Sequence, residues 1–161
     1  MWSMSWKVRS AVQSDAQAIA ALNGVVQSLH HRHRPDWFKP AEAETFLPVV
    51  EGWLSNQQFA VFVAEDDLGR LVAYATGVRF ERPDNPLTCG ASVVELDQLA
   101  VLESARRQGI GRALSERVIG WAAEVGASRV ELSTWEFNDD ARRLFTSLGF
   151  AATSLRMART S

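Results

Sequence analysis

The sequence predicts a single mixed α/β domain, built on a mostly antiparallel sheet with one parallel β-α-β crossover and flanking helices. Three observations carry this reading. With 161 residues, 47% of them hydrophobic and 22% charged, the chain can bury one sizeable core and has no material for a second. Its apolar residues switch repeatedly between alternating and helical spacing, in the order βααβββαβαβ. Two β-rich runs joined by a tight turn form a hairpin, whereas the strand, glycine turn and amphipathic helix between residues 91 and 135 require a crossover to a parallel strand.

Taken in order, Trp6 to Arg9 is a short strand, and Ser14 and Asp15 cap a helix that buries Ala18, Ile19, Leu22, Val25, Val26 and Leu29. Residues 30–40, HHRHRPDWFKP, interrupt it with two prolines and read as a loop, followed by a second helix from about Ala41 to Leu54. FAVFVAE at 59–65 and LVAYATGVRF at 71–80 are the hairpin, turned by Asp66, Asp67 and Gly69. Ala91 to Val101 is a third long strand. The helix after it carries Ile110, Leu114, Val118, Trp121, Ala122 and Val125 on one side, with Gly126 as a left-handed cap. Ser128 to Trp135 is a strand, Asn138 or Asp139 caps a last helix with Ala141, Leu144, Phe145 and Leu148 on its apolar face, and a final strand spans roughly Ala151 to Arg159. No repeat or linker-like tract divides the chain, so residues 1–161 are read as one domain.

A formal net charge of −2 argues against a broad electrostatic hold on nucleic acid. The opening residues MWSMSWKVRS lack an apolar run after their basic residues, and no segment approaches the ~20 apolar residues of a membrane span, so neither a leader nor a membrane is expected. Cys89 is the lone cysteine and cannot form an intrachain disulfide, which is compatible with a reducing, cytoplasmic setting. His30, His31 and His33 have no accompanying cysteine or carboxylate pattern, and no metal site is expected from them.

The chemistry concentrates at RRQGIG, residues 106–111, between a strand and a helix. Leu114 stands where a dinucleotide fingerprint wants glycine or alanine, and no GK[ST] follows as in a P-loop. What remains is an R-x-x-G-x-G turn at a helix N-terminus. Backbone N–H groups, the positive end of the helix and several arginines converge there, an arrangement suited to a diphosphate.

In these residues the chain resembles the GCN5-related N-acetyltransferases, whose acetyl-CoA signature is a strand, an R/Q-x-x-G-x-G/A loop and a helix in this order. Arg106, Gly109 and Gly111 fill that signature, Leu99, Ala100 and Val101 match the preceding strand end, and NDDARRLFTSLGF at 138–150 resembles the family's late helix. The resemblance covers essentially the whole chain. It implies acetyl-CoA as co-substrate, held along its pantetheine arm by Leu99, Ala100 and Val101, at its pyrophosphate by Arg106, Arg107, Gln108, Gly109, Ile110, Gly111 and Arg112, and also by Asn138. It implies a bulge in the strand carrying Leu99, a small-molecule or peptide amine as acceptor, a homodimer as a possibility, and Trp37 and Phe38 beside the acceptor.

An amine with a pKa near 10 must lose a proton before it attacks a thioester, so a base is needed near the acceptor. Glu95, six residues before Val101, is the first choice and Asp97 the second, with strand alternation placing both on one face. The N–H near Val101 is the candidate donor to the developing oxyanion. Many members of the family carry a tyrosine proton donor in the late helix. Phenylalanine stands there at Phe145, which raises the alternative of a non-catalytic acyl-CoA-binding or regulatory module.

Overall fold

Helix and sheet approach so closely at Gly77 that a Cβ there would stand 3.0 Å from both Val118 and Trp121. That contact fixes where the functional strand lies. The computed structural model describes residues 5–161, and the leader-free reading of residues 1–4 lies outside them. The elements are β1 (Trp6–Ser10), α1 (Ala16–His33), α2 (Ala43–Ser55), β2 (Phe59–Asp66), β3 (Leu71–Arg82), β4 (Ala91–Val101), α3 (Ile110–Glu124), β5 (Arg129–Leu132) and α4 (Asp139–Ser147). The strands lie in chain order, β1 to β4 antiparallel and β4 to β5 parallel.

Alternation along β2, β3 and β4 gives the sheet two buried faces. On one, Phe62, Ala64, Ala73, Ala75, Val94 and Leu96 meet Ile110, Leu114 and Val118 of α3 and Phe145 of α4. On the other, Val61, Val63, Tyr74 and Ala100 meet Ile19 and Leu22 of α1 and Val50 and Trp53 of α2. Between β1 and α1, Arg9 binds Asp15 at 2.8 Å and Glu65 at 2.8 Å, holding the Asp15 carboxyl below its ordinary range. Among the described residues no helix is long and apolar enough to cross a membrane.

Three expectations are corrected. The α1 helix does not stop at Leu29 but takes in His30, His31, Arg32 and His33, because the break comes from Pro35 and basic residues are favourable in a last turn. The strand expected over 128–135 is only Arg129–Leu132, leaving residues 133–135 without a ladder. Residues 151–159 form no strand; they are exposed and unpaired, since a strand needs a partner and this chain brings none alongside.

Candidate functional site

The pairing of β4 with β3 slips by one residue, from Gln98 opposite Thr76 to Leu96 opposite Gly77, so Asp97 is the extra residue of a β-bulge. On its other side β4 pairs with β5 only as far as Leu96 opposite Leu132. Beyond that point the two strands have no ladder between them. The Leu102 N–H donates to the Val72 carbonyl at 2.9 Å. Because direction alternates along an antiparallel pair, the amide and carbonyl of Ala100 also face β3, and those of Leu99 and Val101 face away from it, along the slot. The Val101 carbonyl accepts there from Arg106 Nε at 3.4 Å.

The slot leads to the 106–112 turn. Arg107 and Gly109 have φ of 62° and 80°, so this short connection twice enters the left-handed region. No side chain caps α3, which leaves first-turn amides of the helix free for an anion. Gln108 Oε1 is buried without a hydrogen-bond partner, and Arg112 lies between Glu116 and Ser147. A Cβ on Gly111 would point at Leu144, 3.4 Å away, and then at Val101 and Leu99. Gly111 therefore seats α3 against α4 and the slot wall, and Gly109 supplies the turn. The residues fit an extended amide-bearing arm ending in a diphosphate.

Glu95 and Asp97 flank Leu96 at the bulge, where strict alternation fails. Burial pushes the half-buried Glu95 carboxyl above its ordinary range, and the charges of Asp97 and Glu131 push the same way. Asp97 keeps an open side to water, so the upward push from protein crowded around its carboxyl is tempered by solvent and by Gln98. Its charge also reaches Tyr74, whose phenol is fully buried and pushed up to about 12. Asn23 Nδ2 donates to the Tyr74 hydroxyl at 3.1 Å and approaches Gln98 Oε1 at 3.5 Å, fastening α1 over the bulge. Thr76 Oγ1, beside them on β3, is buried without a partner. Asn23 and Gln98 gave no signal in the sequence, because only the fold brings α1 over β4.

Trp37 and Phe38 lie in an aromatic cluster that also holds Trp135 and Phe137, two residues the sequence reading missed. Phe38 meets Trp135 edge-on at 5.2 Å, Trp37 meets it at 6.4 Å, and Phe137 stacks on His33 at 4.3 Å. Arg34 covers the Trp135 ring at 5.3 Å. His30 sits among Phe38, Trp135 and Phe137, and burial with the neighbouring His33 lowers its pKa. The spacing W-x-F just after β5 was the available clue.

At the late helix, Asn138 accepts from the Ala141 N–H at 3.2 Å, which makes it the α4 N-cap whatever else it touches. Phe145 is buried and packs edge-on against Phe150 at 5.9 Å, so the position expected of a proton donor is core. Cys89 is exposed on the β3–β4 connection, a long way along the chain from the turn. Among the described residues no group of three or more His, Cys, Asp or Glu is placed to hold a metal ion.

The profile of the Acetyltransferase (GNAT) family matches residues 26–150. An uncharacterized N-acetyltransferase of Mycobacterium tuberculosis is 32% identical over 107 residues, 66% of this chain and 62% of that protein. The chain thus spans about three fifths of that relative's length. An aminoglycoside N(6')-acetyltransferase type 1 of Serratia marcescens is 33% identical over 102 residues, 62% of this chain and 68% of that one. Among solved structures, a tetramutant of the BH1408 protein from Bacillus halodurans superposes with a TM-score of 0.90 at 25% identity, covering 96% of this chain and 99% of that chain.

Proposed function

The chain belongs to the GNAT acetyltransferase family, and from that membership we propose that it is an enzyme transferring an acetyl group from acetyl-CoA directly to a primary amine of a small molecule. The observation that carries this reading is the open side of β4. There the backbone groups of Leu99 and the N–H of Val101 face away from β3 and lead into the uncapped, arginine-flanked N-terminus of α3, whose neighbour Arg106 donates to the Val101 carbonyl. Acetyl-CoA supplies an activated thioester carbonyl. The chain's own part is to hold the pantetheine amides at Leu99 and Val101 and the pyrophosphate at residues 106–112.

Glu95, with its proton affinity raised by burial and by Asp97, takes the proton from the acceptor amine, directly or through a water. The Val101 N–H donates to the carbonyl oxygen as negative charge gathers on it. Phe145 cannot protonate the departing thiolate. With a pKa near that of a free thiol, about 8.5, the thiolate leaves acceptably into water. Tyr74 holds its proton too tightly to serve, since burial raises it rather than lowering it.

For the acceptor, the aromatic cluster offers ring faces and the bulge offers carboxylates, a pairing suited to an amine carried on a sugar or similar ring. The Serratia relative is named for aminoglycosides, so aminosugars are the first class to test. The reading places the enzyme in the cytoplasm, a compartment with which a chain of one cysteine is compatible.

The test follows thiol release from acetyl-CoA over a panel of aminosugars, polyamines, amino acids and peptides, with acetyl-CoA binding measured by calorimetry. Binding together with amine-dependent release on any of them supports the reading. Binding without release on the whole panel sinks the transferase, and an absence of binding sinks the cofactor site.

A further inference from the structure

Two glutamates are neighbours where β4 meets β5. In the parallel register Glu95 lies opposite Glu131, so both side chains rise from the same face of the sheet, one strand apart. Their surroundings differ. Both ends of the Arg82 fork donate to Glu131, Nη1 to Oε1 at 3.2 Å and Nη2 to Oε2 at 3.0 Å, and Arg129 Nε meets Oε1 at 3.2 Å. Arg82 belongs to β3 and Glu131 to β5, so this pair spans the intervening strand β4. Arg82 is in register with Ala91 and Arg129 with Val93, on the strand that carries Glu95, and among the described residues Glu131 is the only carboxylate either arginine engages.

Glu95 is half-buried, and among the described residues no arginine or lysine pairs with it. Opposite it on β3 stands the apolar Val78. The charges that act on it are both negative, Asp97 on its own strand and Glu131 on β5, with the two arginines behind Glu131. A guanidinium binds a carboxylate through short, charge-assisted bonds and lowers its proton affinity. Glu131 shows that effect, its carboxyl being held below its ordinary range by Arg82 and further by Arg129. The same arginines on Glu95 would make it a poor proton acceptor.

We propose that Glu131 is a positioning residue for the base: by holding Arg82 and Arg129 it keeps both guanidinium groups off Glu95, whose carboxylate stays open to the acceptor amine. The proposal rests on the reading of Glu95 as the base. Two carboxylates one strand apart thereby receive separate work, one neutralised by arginine and the other left to carry a proton.

The test titrates the Glu95 carboxyl by carbon NMR and follows kcat/KM against pH on the same proteins, using the most active amine of the panel. In Glu131→Gln, Glu95 should titrate at lower pH, the acid limb should move with it, and the rate at neutral pH should fall roughly tenfold or more. Glu131→Asp, which keeps the charge, should retain most of the rate. Glu131→Gln combined with Arg82→Gln and Arg129→Gln should also regain it, because no freed guanidinium remains. A clamp that only joined the strands would lose more with each change, so a triple variant slower than Glu131→Gln overturns the proposal. An unmoved Glu95 titration in Glu131→Gln overturns it as well. Should melting show that Glu131→Gln alone does not fold, the arginine-free background carries the test: there Glu131→Gln should cost no rate, and a loss of tenfold would overturn the shielding. Glu95→Gln reports separately on the base, since full activity in that variant removes the base reading, whatever the titration shows.

Discussion

Burial raises the proton affinity of Glu95, and the charge of Asp97 across the bulge of β4 adds to it. The carboxylate must be deprotonated to act as a base, so activity should fall as pH drops through the raised Glu95 value. Asp97→Asn removes a neighbouring negative charge, lowers that value and should move the acid limb of the kcat/KM profile to lower pH. Glu95→Gln should lose the limb and reduce kcat by roughly 10²-fold or more, with acetyl-CoA affinity kept. An unaltered profile in both variants would show that neither carboxylate is the base.

The same shift has a stability signature. A carboxyl whose folded-state pKa lies above its unfolded value costs the folded state stability as pH rises through that window, and costs nothing below the unfolded value of about 4.3. Glu95→Gln should therefore raise Tm at pH 7 to 8, with the gain vanishing near pH 4. A Tm that falls at neutral pH would contradict the shift.

The two glycines of the turn should fail in different ways. Gly109 has φ of 80° and open space around it, so Gly109→Ala meets strain of about 1–2 kcal/mol without a clash. Acetyl-CoA affinity should fall while the core survives. Gly111→Leu drives a side chain into Leu144 and should lower both Tm and affinity. Calorimetry and thermal melts on the pair distinguish these outcomes; equal effects would mean the turn and the packing contact are one feature.

Much of this was legible in the sequence because the signals were local. Gly126 announced a left-handed helix cap, Ala91 to Val101 alternated well enough to bound β4, and the last helix's cap was narrowed to Asn138 or Asp139, of which Asn138 caps it. The bulge at Asp97 was expected only by resemblance, since a one-residue slip depends on which residues of β3 lie opposite. The α1 helix ran past Leu29 because histidine and arginine tolerate a last turn, whereas the loop was read from two prolines that lie beyond His33 and act only after the helix has ended. Contacts made across the fold, such as Asn23 with Tyr74, left no mark on either segment.

Trp135 is the hub of the aromatic cluster, touching Trp37, Phe38, Phe137 and His30. Trp135→Ala should raise KM for the acceptor amine by roughly 5- to 150-fold, on the scale of ~1–3 kcal/mol for a lost apolar contact, with KM for acetyl-CoA unchanged. Equal rises in both would move the cluster from the acceptor to the cofactor.

Asn138 caps α4 through the Ala141 N–H. Asn138→Ala should cost about 1 kcal/mol in chemical denaturation, and Asn138→Asp should restore most of it, because aspartate caps equally well. If acetyl-CoA affinity recovers with the aspartate, the residue acts by holding α4; if it does not, the amide itself meets the ligand.

The exposed thiol of Cys89 has a practical bearing on all these rate measurements. Colorimetric reagents that report free CoA will also react with it, giving one equivalent of signal per chain before any turnover. Subtracted as a burst, that signal counts the protein in the cuvette; left uncorrected, it imitates a single catalytic cycle. Cys89→Ser gives a clean baseline, and the native thiol offers one dye-labelling position per chain.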